Sequence, residues 1–240
     1  MRDWLTARPI AHRGLHDAGA GVIENTASAF RAAVAGGYGI ECDLQISADG
    51  EAMVHHDDAL GRLNEGSARL DTLTAEALKH VAFNASTDRI ITLGELCDLV
   101  AGRVTLVIEL KGFQGDGRVA ERTAAVLAAY RGPVAVMSFD PALIATVRNR
   151  APALARGLVT MQREPDSPNA GTSPLTYVRQ ALAARPQFLA HRVADLASPL
   201  PRLARNVLRM PLLTWTVRTP AERAHATAYA DQMIFEGFRP

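Results

Sequence analysis

Short runs of apolar residues alternate along this chain with longer segments that have a helical pattern. A short apolar run bounded by turn residues is typical of a strand buried on both faces. The strongest such run is VTLVIELK, at 104–111. The pattern predicts eight strands, at 9–12, 39–47, 104–111, 133–139, 153–160, 187–191, 211–217 and 231–237.

The segments between the predicted strands carry start and stop signals of helices. Asn25 or Thr26 can cap the first helix, which Gly36 and Gly37 would end. Asp140 followed by a proline is a typical start of another helix. A stretch rich in proline, serine and glycine at 163–174 is predicted to be a loop. The predicted helices are 27–37, 72–81, 92–102, 117–132, 140–151, 174–184, 198–209 and 219–230.

This alternation predicts one α/β domain over residues 1–240. Strands that alternate with helices favour a parallel sheet with helical crossovers, and eight such units fit a (β/α)8 TIM barrel. Residues 47–92 are too long for one crossover, so we expect a small insertion there at the barrel mouth, containing an extended piece at 51–56. A doubly wound open sheet is the alternative, but no glycine-rich phosphate motif follows the first strand.

Charge and cysteine content narrow the classes of protein that fit. The 26 basic and 25 acidic side chains leave a net charge of +1, so nothing in the overall charge indicates a nucleic-acid partner. Cys42 and Cys97 lack metal-type spacing and are too few for a disulfide framework. The sequence shows no secretory signal before His12 and no apolar stretch long enough to span a membrane. We therefore expect a cytoplasmic protein without a stable membrane anchor.

Acidic residues recur on the same side of two neighbouring predicted strands. Glu41 and Asp43 are two residues apart on the second strand, and Glu109 and Lys111 repeat this spacing on the third. In a barrel these side chains could converge at the C-terminal mouth. Three convergent carboxylates need a cation between them, either a divalent ion or a base such as Arg13, and oxygen ligands favour Mg²⁺ or Ca²⁺. The alternative is that each acid pairs separately with a surface base.

Histidines stand at the ends of two predicted extended segments. His12 ends the first strand, and His55 and His56 end the piece at 51–56. Imidazoles titrate near neutral pH, so two of them flanking a scissile bond could serve as acid and base. Neighbouring residues on a strand face opposite ways, so only one of His55 and His56 can face the site. A structural, hydrogen-bonded role is the alternative for any single histidine.

Five motifs in register resemble the glycerophosphodiester phosphodiesterase family. They are His12-Arg13-Gly14, Glu24-Asn25-Thr26, Glu41-x-Asp43, His56-Asp57 with Leu60 and Arg62, and Glu109-x-Lys111. The resemblance implies a (β/α)8 barrel with a small insertion near its mouth. It also implies a divalent-metal-dependent hydrolase that cleaves glycerophosphodiesters to glycerol 3-phosphate and an alcohol.

The resemblance also implies a role for each matching residue. His12 and His56 match the acid–base pair, and Glu41, Asp43 and Glu109 match the ligands of a divalent metal, Ca²⁺ or Mg²⁺. The implied substrate- and phosphate-binding residues are Arg13 and Lys111, which would stabilise phosphate charge, Glu24 and Asn25, which would shape the site, and Trp215, which would line the pocket.

The end of the chain departs from the family pattern, which usually reads Ile-Thr-Asp-x-Pro. Here the sequence is DQMIFEGFRP, and Glu236 is the candidate replacement for the aspartate. Phe235 and Phe238 either make the pocket edge apolar or only close the barrel end.

The alternative functions are a related phosphodiesterase acting on lysophospholipids or sphingolipids and releasing a cyclic or lipid phosphate, and a non-catalytic phosphodiester-binding barrel. The alcohol, the preferred metal, the roles of the two histidines and the oligomeric state stay open.

Overall fold

Parallel strands form a closed barrel at the centre of the protein. The computed structural model describes residues 3–112, 116–162 and 174–240. The strands in these ranges are β1 (Ile10–Ala11), β2 (Gly39–Ile46), β3 (Ala52–Val54), β4 (Ala82–Phe83), β5 (Ser86–Arg89), β6 (Leu106–Leu110), β7 (Val134–Ser138), β8 (Ala155–Thr160), β9 (Phe188–Arg192), β10 (Leu212–Val217) and β11 (Gln232–Phe235). Eight of these described strands pair in parallel in the order β1-β2-β6-β7-β8-β9-β10-β11, and β11 closes the ring on β1.

Helices connect the strands and cover the outside of the barrel. They are α1 (Ala27–Ala35), α2 (Ala75–His80), α3 (Leu93–Val100), α4 (Arg118–Leu127), α5 (Pro141–Arg150), α6 (Pro174–Ala184), α7 (Pro199–Arg202) and α8 (Pro220–Tyr229). Thr26 caps α1 and Asp140 caps α5, each with its side-chain oxygen on a backbone N–H of the first turn. A π-helical turn, Leu203–Val207, continues α7. None of the described helices combines the length and apolarity that spanning a bilayer requires.

The predicted (β/α)8 barrel is confirmed, and the open-sheet alternative is wrong. The eight predicted strands all occur, with ends shifted by at most two residues. The predicted helix at 198–209 is a short α-helix followed by the π-helical turn. The predicted loop at 163–174 lies outside the described residues, apart from Pro174.

Each barrel strand divides its side chains between the lumen and the helix layer. Ile10, Val107, Phe188 and Ile234 belong to the cluster that fills the lumen. Their neighbours in sequence belong to the larger cluster between strands and helices. This alternation decides which polar side chains reach the mouth, because a residue two positions after a lumen residue points the same way.

The region at 47–92 forms a compact layer beside the mouth. It contains β3, which pairs antiparallel with the end of β2, then α2 and the β4–β5 hairpin. Its apolar side chains and Ile23 form a separate buried cluster. The members from 47–92 are Met53, Leu60, Leu70, Leu78, Phe83 and Ile90. The pattern of apolar residues does not predict the hairpin, because β5 reads Ser-Thr-Asp-Arg and has no apolar alternation.

The two phenylalanines near the C-terminus lie outside the barrel lumen. Phe235 is fully buried in the cluster between strands and helices, where its ring contacts Tyr38 edge-on. Phe238 packs against the same cluster, 5.5 Å from Phe235 between ring centroids. This position favours the second alternative, that the pair closes the barrel end and does not line the pocket.

Candidate active site

Three carboxylates from two neighbouring strands converge at the C-terminal mouth. Glu41 and Asp43 point inward from β2, and Glu109 points inward from β6, directly beside Asp43 in the register of the two strands. All three side chains are buried. One oxygen atom from each lies within 4.8 Å of the others. The two-residue spacing along each strand therefore correctly predicts that these three carboxylates converge.

Cations compensate part of this buried negative charge. The Lys111 ammonium lies 3.0 Å from Asp43 Oδ1 and 2.6 Å from Glu109 Oε1. Burial raises the pKa of Asp43, but Lys111 and Arg13 outweigh this effect and hold the pKa below its usual range. Burial, followed by repulsion from Asp43 and Glu109, raises the pKa of Glu41 well above normal.

A tight turn after β1 places Arg13 against these carboxylates. Arg13 has a left-handed backbone, with φ of 55°. Its backbone N–H donates to Glu41 Oε2 at 3.0 Å, and its guanidinium Nε lies 3.2 Å from Asp43 Oδ2. Burial lowers the pKa of Arg13, but Asp43 and Glu24 outweigh it and keep the guanidinium charged.

Gly14 completes this turn, and its replacement by alanine is expected to destabilise the protein. Gly14 has φ of 81°, and an added Cβ would lie 2.8 Å from Ala29 Cβ. Left-handed strain and overpacking together predict a loss of about 2–4 kcal/mol in the free energy of unfolding. Gly50→Ala is the matched control, because Gly50 has φ of 83° but nothing within 4 Å. Equal losses in urea unfolding of both variants would contradict the packing argument.

Glu24 and Asn25 form hydrogen bonds with charged side chains of the protein at the site. The Asn25 amide donates to Asp43 Oδ2 at 2.9 Å, and its carbonyl oxygen accepts the Asp43 N–H at 3.3 Å. Glu24 Oε1 accepts from Arg13 and from Arg62, at 2.7 Å in both cases. Sequence analysis grouped Glu24 and Asn25 with substrate binding. Their contacts in the structure serve to position Arg13 and Asp43, and contact with substrate stays a prediction.

His12 points into the site from the end of β1, held by a carboxylate. Its Nδ1 is hydrogen-bonded to Glu236 Oε2, and its Nε2 lies 3.9 Å from Glu41 Oε2. Arg218 Nε holds the other oxygen of Glu236 at 2.5 Å. Burial raises the pKa of Glu236, but the hydrogen bond from His12 and the His16 imidazole, 3.6 Å away, outweigh it, so the carboxylate is ionised. Burial lowers the pKa of His12 despite its bond to Glu236.

Only one of the two adjacent histidines faces the site. His55 is 3% exposed, and its ring nitrogens bond to the Asp57 carbonyl at 2.9 Å and to Asn64 Oδ1 at 3.0 Å. His56 instead bonds through Nδ1 to the Asp57 carboxylate at 2.7 Å. Burial lowers the pKa of His56, while the charge of Asp43 acts to raise it. These contacts favour a structural role for His55 and leave His56 as the candidate site histidine.

The two site histidines share an arrangement that motifs alone did not show. Each has its Nδ1 on a carboxylate, Glu236 for His12 and Asp57 for His56. Each carboxylate is in turn held by an arginine: Arg218 holds Glu236, and Arg62 holds Asp57 at 2.6 Å. From the sequence, Glu236 is predicted only as the replacement for the aspartate of the family pattern. The sequence signal for its approach to the site is its position two residues after Ile234, on the lumen side of β11.

Trp215 also lies on the lumen side of its strand, β10. Its indole N–H donates to the Ala190 carbonyl at 3.0 Å, and its ring meets Phe139 edge-on at 5.5 Å. Trp215 and Phe139 are partly buried against the lumen cluster. They form an apolar wall near the end of the barrel that carries the polar groups.

The donor set of Glu41, Asp43 and Glu109 fits a hard divalent cation. All three donors are carboxylates, the ligand type that Mg²⁺ and Ca²⁺ prefer. Glu41 Oε1 is buried and accepts no hydrogen bond from the described part of the chain. A second group, His12, His16 and Glu236, is equally compact. It is a poorer candidate because both Glu236 oxygens already bind His12 and Arg218.

Two relatives of known family are similar in sequence to part of this chain. The glycerophosphodiester phosphodiesterase of Caldanaerobacter subterraneus is 32% identical over 161 residues, covering 62% of this chain and 65% of that protein. Rat glycerophosphodiester phosphodiesterase 1 is 38% identical over 122 residues, covering 46% of this chain and 35% of that protein. The matches thus span less than two thirds of either relative.

Solved structures show the same fold over almost the whole chain. An Oleispira antarctica phosphodiesterase in complex with the product sn-glycerol-3-phosphate has a TM-score of 0.79, is 19% identical, and is matched over 97% of this chain and 94% of its own. A glycerophosphodiester phosphodiesterase from Thermotoga maritima has a TM-score of 0.72 at 22% identity, over 94% and 92%. The sequence model of one family matches residues 12–237. The chain belongs to the glycerophosphoryl diester phosphodiesterase family.

Proposed function

We propose that this protein is a divalent-metal-dependent phosphodiesterase that hydrolyses glycerophosphodiesters to glycerol 3-phosphate and an alcohol. One observation carries the proposal: two imidazoles, each anchored through Nδ1 to a carboxylate, stand beside a buried carboxylate cluster that also holds Arg13 and Lys111. Family membership supports it, as does the glycerol phosphate product in the Oleispira structure.

The charges of the site suit an anionic phosphodiester. The three carboxylates with Arg13 and Lys111 carry −3 + 2 = −1 when all are ionised. A divalent cation held by Glu41, Asp43 and Glu109 would turn this into +1, and it would supply Lewis-acid stabilisation of the phosphoryl oxygens. Arg13 and Lys111 would stabilise the negative charge that builds on those oxygens during cleavage.

The histidines supply the proton transfers in this proposal. Glu236 is ionised and can only accept, so the hydrogen bond puts the His12 proton on Nδ1 and leaves Nε2 as the working nitrogen. The same argument applies to His56 and Asp57. One imidazole, unprotonated at Nε2, takes a proton from the nucleophile. The other enters the step protonated at both ring nitrogens and gives its Nε2 proton to the leaving alkoxide. The nucleophile we favour is the glycerol hydroxyl next to the ester, which forms a cyclic phosphate that water then opens.

Product analysis tests the proposal. The purified protein is incubated with glycerophosphocholine and with glycerophosphoethanolamine, with Ca²⁺, with Mg²⁺ and with excess chelator. We expect glycerol 3-phosphate only when a metal ion is present. Release of a cyclic or lipid phosphate from lysophospholipid, with no glycerol 3-phosphate from either diester, would favour the lipid-directed alternative. Stabilisation by these diesters without turnover would favour a binding protein.

The Glu236→Gln variant tests whether the Glu236 carboxylate supports His12 in catalysis. Glutamine can still accept the bond from Nδ1, but it lacks the charge that stabilises a protonated imidazole. We expect kcat to fall about 10–100-fold, with a smaller change in KM. Glu76→Gln is the matched control, because Glu76 is exposed on α2. Unchanged kcat in Glu236→Gln would show that His12 works without this carboxylate.

A further inference from the structure

Three large apolar side chains of the helix α6 point away from the protein. Leu175, Val178 and Leu182 follow the i, i+3, i+7 spacing of one helix face, and they are 70%, 52% and 71% exposed. Among the described side chains on the opposite side of the helix, Ala184 is fully buried and Ala181 packs on the core. A helix on the surface of a barrel normally has the opposite arrangement.

The segment formed by α7 and the π-helical turn shows the same inversion. Leu200, Leu203 and Val207 repeat the i, i+3, i+7 spacing, and all three are exposed together with Leu208. The small Pro201 and Ala204 are buried instead. Two successive outer segments therefore present leucine and valine to solvent.

These exposed residues lie on two neighbouring segments of the outer layer, and we call them together the apolar face. It consists of Leu175, Val178, Leu182, Leu200, Leu203, Val207 and Leu208. The two segments follow β8 and β9, which are adjacent in the barrel. Among the described residues, Tyr229 is the one exposed large hydrophobic side chain outside the face, and Arg202 lies 6.0 Å from its ring. Such concentration marks an interaction surface.

The surroundings of the apolar face are strongly basic. Residues 174–210 contain six arginines and one acidic residue, Asp195, a local balance of +5 in a chain whose net charge is +1. Asp195 pairs with Arg192, and Asp231 pairs with Arg205. The exposed arginines beside the apolar face are Arg179, Arg185, Arg202 and Arg209.

We propose that the apolar face docks the protein reversibly on a bilayer that carries anionic phospholipids. Leucine and valine side chains can enter the interfacial region while neighbouring arginines contact the headgroups. A second copy of the chain is a poorer occupant, because a symmetric dimer through this face would bring arginines together. The preceding residues 163–173 contain no large apolar side chain that could cover the face. The inference is independent of the proposed catalytic activity.

Vesicle co-sedimentation tests the proposal directly. Wild-type protein is mixed with vesicles of phosphatidylcholine, or of phosphatidylcholine with phosphatidylglycerol, at low and at high salt. We expect binding to the anionic vesicles, and strong weakening of that binding by salt. No preference for the anionic vesicles would overturn the proposal.

Two sets of variants locate the contact. Arg179→Gln with Arg209→Gln is expected to weaken partitioning by about fivefold for each arginine removed. Leu182→Gln with Val207→Gln is expected to weaken it at least as much, without lowering the melting temperature, because both side chains are already exposed. Arg31→Gln, on the exposed side of α1, is the matched control and should bind like wild type.

The alternative occupant gives a different result in the same experiments. If the face joins two copies, light scattering would show a dimer that Leu182→Gln with Val207→Gln dissociates, and vesicle binding would be absent. That combination would overturn the membrane proposal. Because sedimentation needs no turnover, its outcome is separate from whether the diesters are hydrolysed.

Discussion

The His56→Asn and His12→Asn variants are each expected to lower kcat by about 10²–10⁴-fold, the usual contribution of a general acid or base. Both imidazoles have Nδ1 occupied by a carboxylate, so in the proposed mechanism each would act on the substrate through Nε2. Asparagine can occupy much of this space but cannot transfer a proton near neutral pH. Steady-state kinetics with the better glycerophosphodiester measures the effect, with metal at saturation.

Two controls separate catalysis from structure. His80→Asn replaces an exposed histidine on α2 and should keep wild-type kcat. His55→Asn removes a buried histidine that bonds to Asn64, so its effect should appear first as a lower melting temperature. The double variant His12→Asn with His56→Asn should lose far less than the product of the single losses if the pair acts as a unit. Near-wild-type turnover in either site variant would remove that histidine from the proposed mechanism.

Glu41→Gln is expected to affect activity and stability in opposite directions. Loss of one ligand oxygen should weaken metal binding and cost on the order of 10³-fold in kcat/KM, since a bound cation contributes several kcal/mol to charge stabilisation. In the metal-free protein the same change removes a carboxyl group that must either take up a proton on folding or carry a buried charge that Asp43 and Glu109 repel. The metal-free variant should therefore unfold at higher urea concentration than the metal-free wild type at neutral pH.

The pH dependence of this stability difference has a definite sign. Because the folded-state pKa of Glu41 is raised, folded protein binds a proton there that unfolded protein has already released. In the wild type, the stabilisation from proton binding at Glu41 is therefore fully present below the pKa that Glu41 has in the unfolded protein. It is lost as the pH rises toward the higher pKa that Glu41 has in the folded protein. Glu41→Gln lacks that loss, so its advantage should grow as the pH rises above the normal glutamate range. Added Ca²⁺ or Mg²⁺ should stabilise wild type more than the variant, and equal stabilisation would contradict the assigned ligands.

The sequence determined the barrel and most of the residues at its mouth. Alternating strands and helices specify the architecture, because each unit buries its own apolar face against the next. The two-residue period of a strand then places Glu41 with Asp43, and Glu109 with Lys111, on the lumen side. These are local regularities of the backbone, so they can be predicted without a structure.

Only the tertiary structure decided which partners these residues meet. His12 and Glu236 are 224 positions apart, and the closure of β11 on β1 brings them into contact. The choice between His55 and His56 depends on Asn64 and Asp57 in the inserted layer. The exposure of Leu182 and Val207 depends on which side of each helix packs on the barrel. A helical spacing of apolar residues determines that the apolar side chains of one helix share a face. Only packing decides whether that face is buried or exposed to solvent.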